Sequence, residues 1–224
     1  MIARCLGRGL VLAIALAGCG GDDPAPREEA PPPLPADGGR GRVVFLGTSL
    51  TAGYGIDRDQ AYPALLQHKI DSAGLRFVTV NAGVSGETSA GALRRIEWVL
   101  REPAAVLVIE TGANDGLRGQ NTDSIRAHIH AIIDRARRQK PEPRIILTGM
   151  RALPNYGFGY ARRFRKVYEE LAKENDLPLV PFLLDGVAGV DGLNQVDMIH
   201  PTAAGHQRIA ETVWTVLAPV VAGE

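Results

Sequence analysis

"VVFLGTSLTAGYG", residues 43–55, runs an apolar segment into a turn of glycine and hydroxyl side chains, with Ser49 near its centre. A serine in such a turn is most often structural, because its hydroxyl readily caps a helix. Whether Ser49 does more depends on what the rest of the chain brings to the same place. Downstream, short apolar segments alternate with longer amphipathic ones, and there is no internal repeat. The first strand is Val43–Leu46, and further strands are predicted at 76–80 ("RFVTV"), 105–110 ("AVLVIE"), 144–149 ("RIILTG") and in "LPLVPF" at 177–182. Helical patterns separate them at about 61–73, 89–100, 122–139 and 160–175, and a last one closes the chain at about 203–217. In the third of these, Ile125, Ile129, Ile132 and Ile133 have the spacing of one helical face, with Thr122 or Asp123 as the expected cap. Such alternation predicts an α/β fold of three layers, a flavodoxin-like parallel sheet of five strands in the order 2-1-3-4-5 with helices on both faces.

In an open parallel sheet the functional crevice lies beyond the carboxyl ends of the strands. Three polar, glycine-containing stretches therefore meet at one edge: "GTSLTAGYG" with Ser49, "NAGVSGETSAG" with Gly86 and "TGANDGLRG" with Asn114. Each alone reads as an ordinary loop. A nucleophilic serine also needs a base, itself oriented by a third group. "DMIHPTAAGH" after the fifth strand supplies both, since a single turn can set the Asp197 carboxylate beside the His200 imidazole, and Pro201 suits the start of the following helix. Taken alone, that segment reads equally as a helix cap and a loop histidine. The joint placement makes Ser49 the candidate nucleophile, His200 the general base and then acid, and Asp197 the group that holds the imidazole tautomer. The candidate donors to a developing oxyanion are the backbone N–H groups of Ser49 and Gly86 and the side-chain amide of Asn114.

The other histidines are weaker candidates. His128 and His130 diverge on a predicted helix, His68 has no nearby acid, and His206 falls inside the last helix. A metal hydrolase built on Asp197, His200 and His206 is a weaker alternative, since their spacing fits no metal-binding motif. No basic stripe interleaved with aromatic residues runs through the chain, and nucleic acid is not indicated as a partner.

The 224 residues, 45% hydrophobic and 22% charged, suit one globular domain with an appendage. That appendage is N-terminal: "MIARCLGRGLVLAIALAGC" sets Arg4 and Arg8 before an apolar run that is short for a membrane span, the pattern of a secretory signal over residues 1–18. Its end, Leu16–Cys19, resembles a bacterial lipobox, which implies lipid attachment at Cys19. Cys5 would leave with the leader, so the folded domain would hold no thiol nucleophile or thiolate metal site. Arg4 and Arg8 leave too, so the mature chain carries 23 basic against 25 acidic residues, a formal charge of −2. Residues 19–41 are rich in Pro, Gly and acid and read as an extended tether, with the catalytic domain spanning 42–219. The expectation is an exported lipoprotein, membrane-anchored and facing the periplasm or the cell exterior.

In order and separation, Ser49 in "GTSL", Gly86, Asn114 in "GANDGLRG", and Asp197 with His200 in "DMIHP" resemble the blocks of the SGNH, or GDSL, hydrolases. "LPNYG" at 153–157 adds similarity to the bacterial multifunctional esterases of that family, which act as acyl-CoA thioesterases, lysophospholipases or arylesterases. The resemblance implies a Ser-His-Asp hydrolase without a cofactor, acting on carboxylic esters and often on thioesters. One residue departs from the pattern. The family's usual Asp in "GDSL" is Thr48 here, a neutral hydroxyl where a carboxylate would brace the nucleophile turn. The second glycine of a GxSxG elbow is replaced by Thr51, which argues against the α/β-hydrolase pattern. Leu117, Leu153, Tyr156 and Phe158, in loops after strands three and four, are expected to wall an acyl pocket. Two alternatives remain at this level: a carbohydrate O-deacetylase of the same fold, and a non-catalytic lipoprotein that binds a ligand in the crevice.

Overall fold

The computed structural model describes residues 39–223. Cys19, the signal segment and nearly all of the expected tether lie outside the described residues. The elements in chain order are β1 (Gly41–Gly47), α1 (Ser49–Ala52), α2 (Tyr62–Ser72), β2 (Phe77–Gly83), α3 (Ser89–Val99), β3 (Val106–Ile109), α4 (Ala113–Leu117), α5 (Thr122–Arg137), β4 (Arg144–Thr148), α6 (Phe158–Asn175), β5 (Leu179–Val180) and α7 (Ala203–Ala222). The five strands form one parallel sheet in the order β2-β1-β3-β4-β5. Its centre is the most apolar part of the chain. Val43–Leu46 and Val106–Ile109 are wholly buried, as expected of strands covered on both faces.

Right-handed crossovers set the layers. The chain steps one way from β1 to β2 and the other way from β2 through β5, which carries the intervening helices to opposite faces. Accordingly α2 packs against α7, while α5 packs against both α3 and α6. Helix α5 buries Ile125, Ile129, Ile132 and Ile133, the stripe read from the sequence. Its cap is Asn121 rather than Thr122 or Asp123, because the Asn121 carboxamide oxygen accepts from the N–H groups of Asp123 and Ser124.

Element boundaries differ from the sequence expectation where the sheet extends its own hydrogen bonding. Strand β1 starts at Gly41, one residue inside the expected tether, since the Gly41 N–H donates to Arg76. Strand β2 continues to Gly83 because it stays in register with β1 as far as Gly47. Helix α7 runs through Pro219 to Ala222, its last turns held by buried Leu217 and Val221. Among the described residues, no helix is long and apolar enough to cross a membrane.

Candidate active site

The turn after β1 folds tightly onto the next strand. A Cβ on Gly47 would fall 1.9 Å from the Thr51 hydroxyl and 2.7 Å from the Glu110 carboxylate, so only glycine lets α1 begin here. Thr48 caps α1, and Ser49, its first residue, is almost buried. Beneath them lies Glu110, fully buried at the end of β3. The Thr48 backbone N–H donates to its carboxylate at 2.7 Å, the Thr48 hydroxyl at 3.0 Å and the Thr51 hydroxyl at 2.9 Å. The Tyr62 hydroxyl then donates to Thr51 at 2.7 Å, because Thr51 has already directed its one proton to Glu110. Burial raises the Glu110 pKa, and the donated hydrogen bonds offset part of that rise. Burial, with Glu110 nearby, also keeps the Tyr62 phenol protonated.

Thr48 therefore does more than replace a capping carboxylate. It accepts only a long bond from the Leu50 N–H, at 3.5 Å, and its own proton goes to Glu110. A second acid at this position would bring two carboxyl groups together in the dry interior.

The segment after β5 brings His200 to Ser49. Asp197 Oδ1 accepts from the backbone N–H groups of Ile199 and His200, both at 3.0 Å, and Asp197 Oδ2 lies 2.6 Å from His200 Nδ1. His200 Nε2 is 3.0 Å from Ser49 Oγ. These bonds, with the imidazole's own hydrogen bond first among them, hold the Asp197 pKa down to about 2. An ionised Asp197 only accepts, so Nδ1 carries the imidazole proton and Nε2 is left to accept from the Ser49 hydroxyl. The turn places Met198 at φ 58°, a left-handed conformation that costs a residue with a side chain some strain. Gln195 ties this turn to the Ser49 loop: its amide donates to the carbonyls of Tyr54 at 2.7 Å and Pro201 at 2.9 Å. The Tyr54 ring lies 4.5 Å from the His200 ring, centroid to centroid.

The third corner joins the loops after β2 and β3. Gly86 has φ 77°, and a Cβ there would touch nothing within 4 Å, so the left-handed backbone rather than crowding calls for glycine. Asn114 donates one amide hydrogen to the Glu87 carbonyl at 3.0 Å, and Arg118 reaches the Gly86 carbonyl at 3.2 Å. The Arg95 guanidinium holds the Glu87 carboxylate from two nitrogens and also donates to the Gly47 carbonyl at 3.2 Å, linking this loop to the strand before Ser49. Asp115 accepts from the Ser89 N–H and hydroxyl at 2.8 and 2.6 Å, which fixes the start of α3 against α4. Among the described residues no protein acceptor takes the N–H of Ser49 or of Gly86.

Two of the four expected pocket residues meet. The Tyr156 hydroxyl lies 3.4 Å from the Leu117 carbonyl, and both side chains are exposed, as is Leu153. Phe158 is 85% exposed and lines a separate cleft with Arg151, Arg162 and Arg165. His206 is buried; its Nδ1 accepts from the Tyr62 N–H at 3.2 Å, and burial lowers its pKa to about 4. His128 contacts Ser89, and His130 pairs with Asp134 on the exposed side of α5. No group of three metal-binding side chains is found among the described residues.

A serine in reach of an imidazole that is in reach of a carboxylate, at the carboxyl edge of a parallel α/β sheet, is the arrangement of a serine hydrolase. The chain belongs to the GDSL-like lipase/acylhydrolase family, whose model matches residues 45–208, and it is a carboxylic ester hydrolase. It is 39% identical over 180 residues to the esterase TesA of Pseudomonas aeruginosa, covering 80% of this chain and 89% of that protein. To the thioesterase 1/protease 1/lysophospholipase L1 of Escherichia coli it is 37% identical over 181 residues, covering 80% and 84%. A crystal structure of TesA superposes with a TM-score of 0.76 at 39% identity, covering 80% of this chain and 99% of that one.

Proposed function

We propose that Ser49, His200 and Asp197 form the catalytic triad of this esterase. The hydrogen-bonded series from Ser49 Oγ to His200 at 3.0 Å and from His200 to Asp197 at 2.6 Å carries the reading. Ser49 Oγ attacks the acyl carbon while His200 Nε2 takes its proton. The tetrahedral intermediate collapses, and the alcohol or thiol leaves with that proton. Water, deprotonated by His200, then attacks the acyl-enzyme; the acid departs and Ser49 regains its proton. Asp197 keeps Nδ1 protonated and balances the imidazolium formed in each half. The N–H groups of Ser49 and Gly86 and the second amide hydrogen of Asn114 receive the oxyanion.

The substrates are acyl esters, including aryl esters and lysophospholipids, and acyl thioesters, with Leu117, Leu153 and Tyr156 flanking the acyl chain; Phe158, in its separate cleft, takes no part in that pocket. The test is hydrolysis of chromogenic esters graded from acetyl to dodecanoyl by the wild type and Ser49→Ala. The expected result is a rate that climbs with acyl length to medium chains and is lost in the variant. An acetyl-peaked profile would move the substrate class to acetylated carbohydrate, and an inactive but folded wild type would leave a binding role.

Cys19 carries the lipid that holds the mature chain on a membrane after export, with residues 20–40 as tether. The N-terminal mass of the mature protein tests this. An unmodified Cys19 would exclude the anchor.

A further inference from the structure

Exposed apolar side chains are unevenly distributed over the molecule. Among the described residues, ten of the eleven large exposed hydrophobic side chains follow the carboxyl ends of strands, on the edge that carries Ser49, and only Trp98 does not. A concentration of this kind marks a contact surface rather than ordinary scatter. One sector of that edge is also cationic. From Arg151 to Lys166 the chain contains Arg151, Arg162, Arg163, Arg165 and Lys166 and no acidic residue, and all five are exposed. Arg151, Arg162 and Arg165 line one open cleft with Phe158 at its side, while Leu153 is 55% exposed close by in the chain. Arg165 pairs with Glu169 on its own helix, whereas Arg162 and Arg163 have no carboxylate partner among the described residues. The cleft adjoins the catalytic edge through Ala152, which lines it and whose Cβ lies 3.5 Å from where a Cβ on Gly116, two residues beyond Asn114, would sit.

We propose that the segment from Arg151 to Lys166 is a docking surface for an anionic phospholipid bilayer. Phe158 and Leu153 enter the headgroup layer, and Arg151, Arg162 and Arg165 engage lipid phosphates. The carboxyl edge with its catalytic serine is thereby turned toward the lipid. Exposed apolar and cationic side chains in one sector are what an interfacial surface requires, the ring entering the headgroup layer and each cation adding attraction to an anionic membrane. The surface acts independently of the anchor and of the triad, so failure of either leaves it intact.

The domain from residue 39 onward is the form to test, since a TesA chain corresponding almost wholly to this domain folds by itself in a crystal. It would be sedimented with vesicles of phosphatidylcholine alone, and with vesicles about one third phosphatidylglycerol. Partitioning should be about tenfold higher on the anionic vesicles, or more, and should fall with added salt. Arg162→Glu/Arg165→Glu should return it to the phosphatidylcholine level with hydrolysis of a water-soluble short ester unchanged. Phe158→Ser should weaken it several-fold by removing the inserted ring. Equal binding to both vesicle types, binding unaffected by the charge reversal, or retention on heparin without vesicle binding would each overturn the proposal.

Discussion

The two turns that meet at the Ser49–His200 contact are built in opposite ways. The Ser49 turn is buried, begins at the end of a central strand and rests on the Glu110 carboxylate through three donors. The Asp197–His200 turn lies in an irregular segment, with Asp197 and Met198 exposed and Met198 in a left-handed conformation. Its rigidity comes from short local bonds made by Asp197 and from one long-range tie, Gln195 to Tyr54. The difference suits the roles proposed for the two turns. A nucleophile and its N–H must be fixed before substrate arrives, whereas a general base exchanges protons with leaving group and water and needs access.

Substitutions can break or sharpen this contrast. The largest effect expected is from Asp197→Asn, which should lower kcat by about three to four orders of magnitude through loss of the correct imidazole tautomer, with little change in Tm. A mild effect would mean that exposure lets solvent replace the carboxylate. Asn114→Ala should cut kcat by roughly a hundredfold or more at nearly unchanged KM. A KM effect alone would remove it from the oxyanion site.

The buried side has its own pH signature. His206 resists protonation in the fold to about pH 4, against an ordinary value of 6.5. Its contribution to stability is therefore complete above about pH 6.5 and declines as the pH falls toward 4, by about 3 kcal/mol. Comparing denaturant unfolding of wild type and His206→Gln across this range isolates that slope; parallel curves would contradict it. Asp197 acts in a lower window, losing its contribution as the pH falls from about 4 through 2. Glu110→Gln should cost about 2 kcal/mol of stability, because the three donors from Thr48 and Thr51 lose part of their acceptor, and turnover should fall about tenfold as the Ser49 turn loosens. Met198→Gly should change stability by less than about 1 kcal/mol, relief of the left-handed strain being offset by a freer unfolded chain.

The parallel sheet covered on both faces was legible because it follows from alternation and the fixed hand of crossovers, and its strand order because five such strands match the flavodoxin-like pattern. The proximity of Asp197 to His200 was legible because three residues in one turn suffice. Glu110 was read only as the last residue of a strand, although an acid closing an otherwise apolar strand is a signal that it has a buried partner. That partner, Thr48, is 62 positions away, and nothing local in either segment points to the other. Gln195 escaped for the same reason, since its contact with Tyr54 spans 141 positions. Sequence pattern reports neighbours along the chain and along the sheet; side-chain ties between loops depend on how those loops finally settle.

The bond between Ser49 and His200 joins residues 151 positions apart, most of the described chain. Such a contact closes a very long loop, and its entropic cost must be met before it forms. It belongs with the arrival of β5 and α7, the last elements in the chain, rather than with assembly of the central strands. In a refolding experiment, recovery of hydrolysis should therefore lag behind recovery of secondary structure, so that the enzyme's own turnover serves as a clock for the final stage of folding.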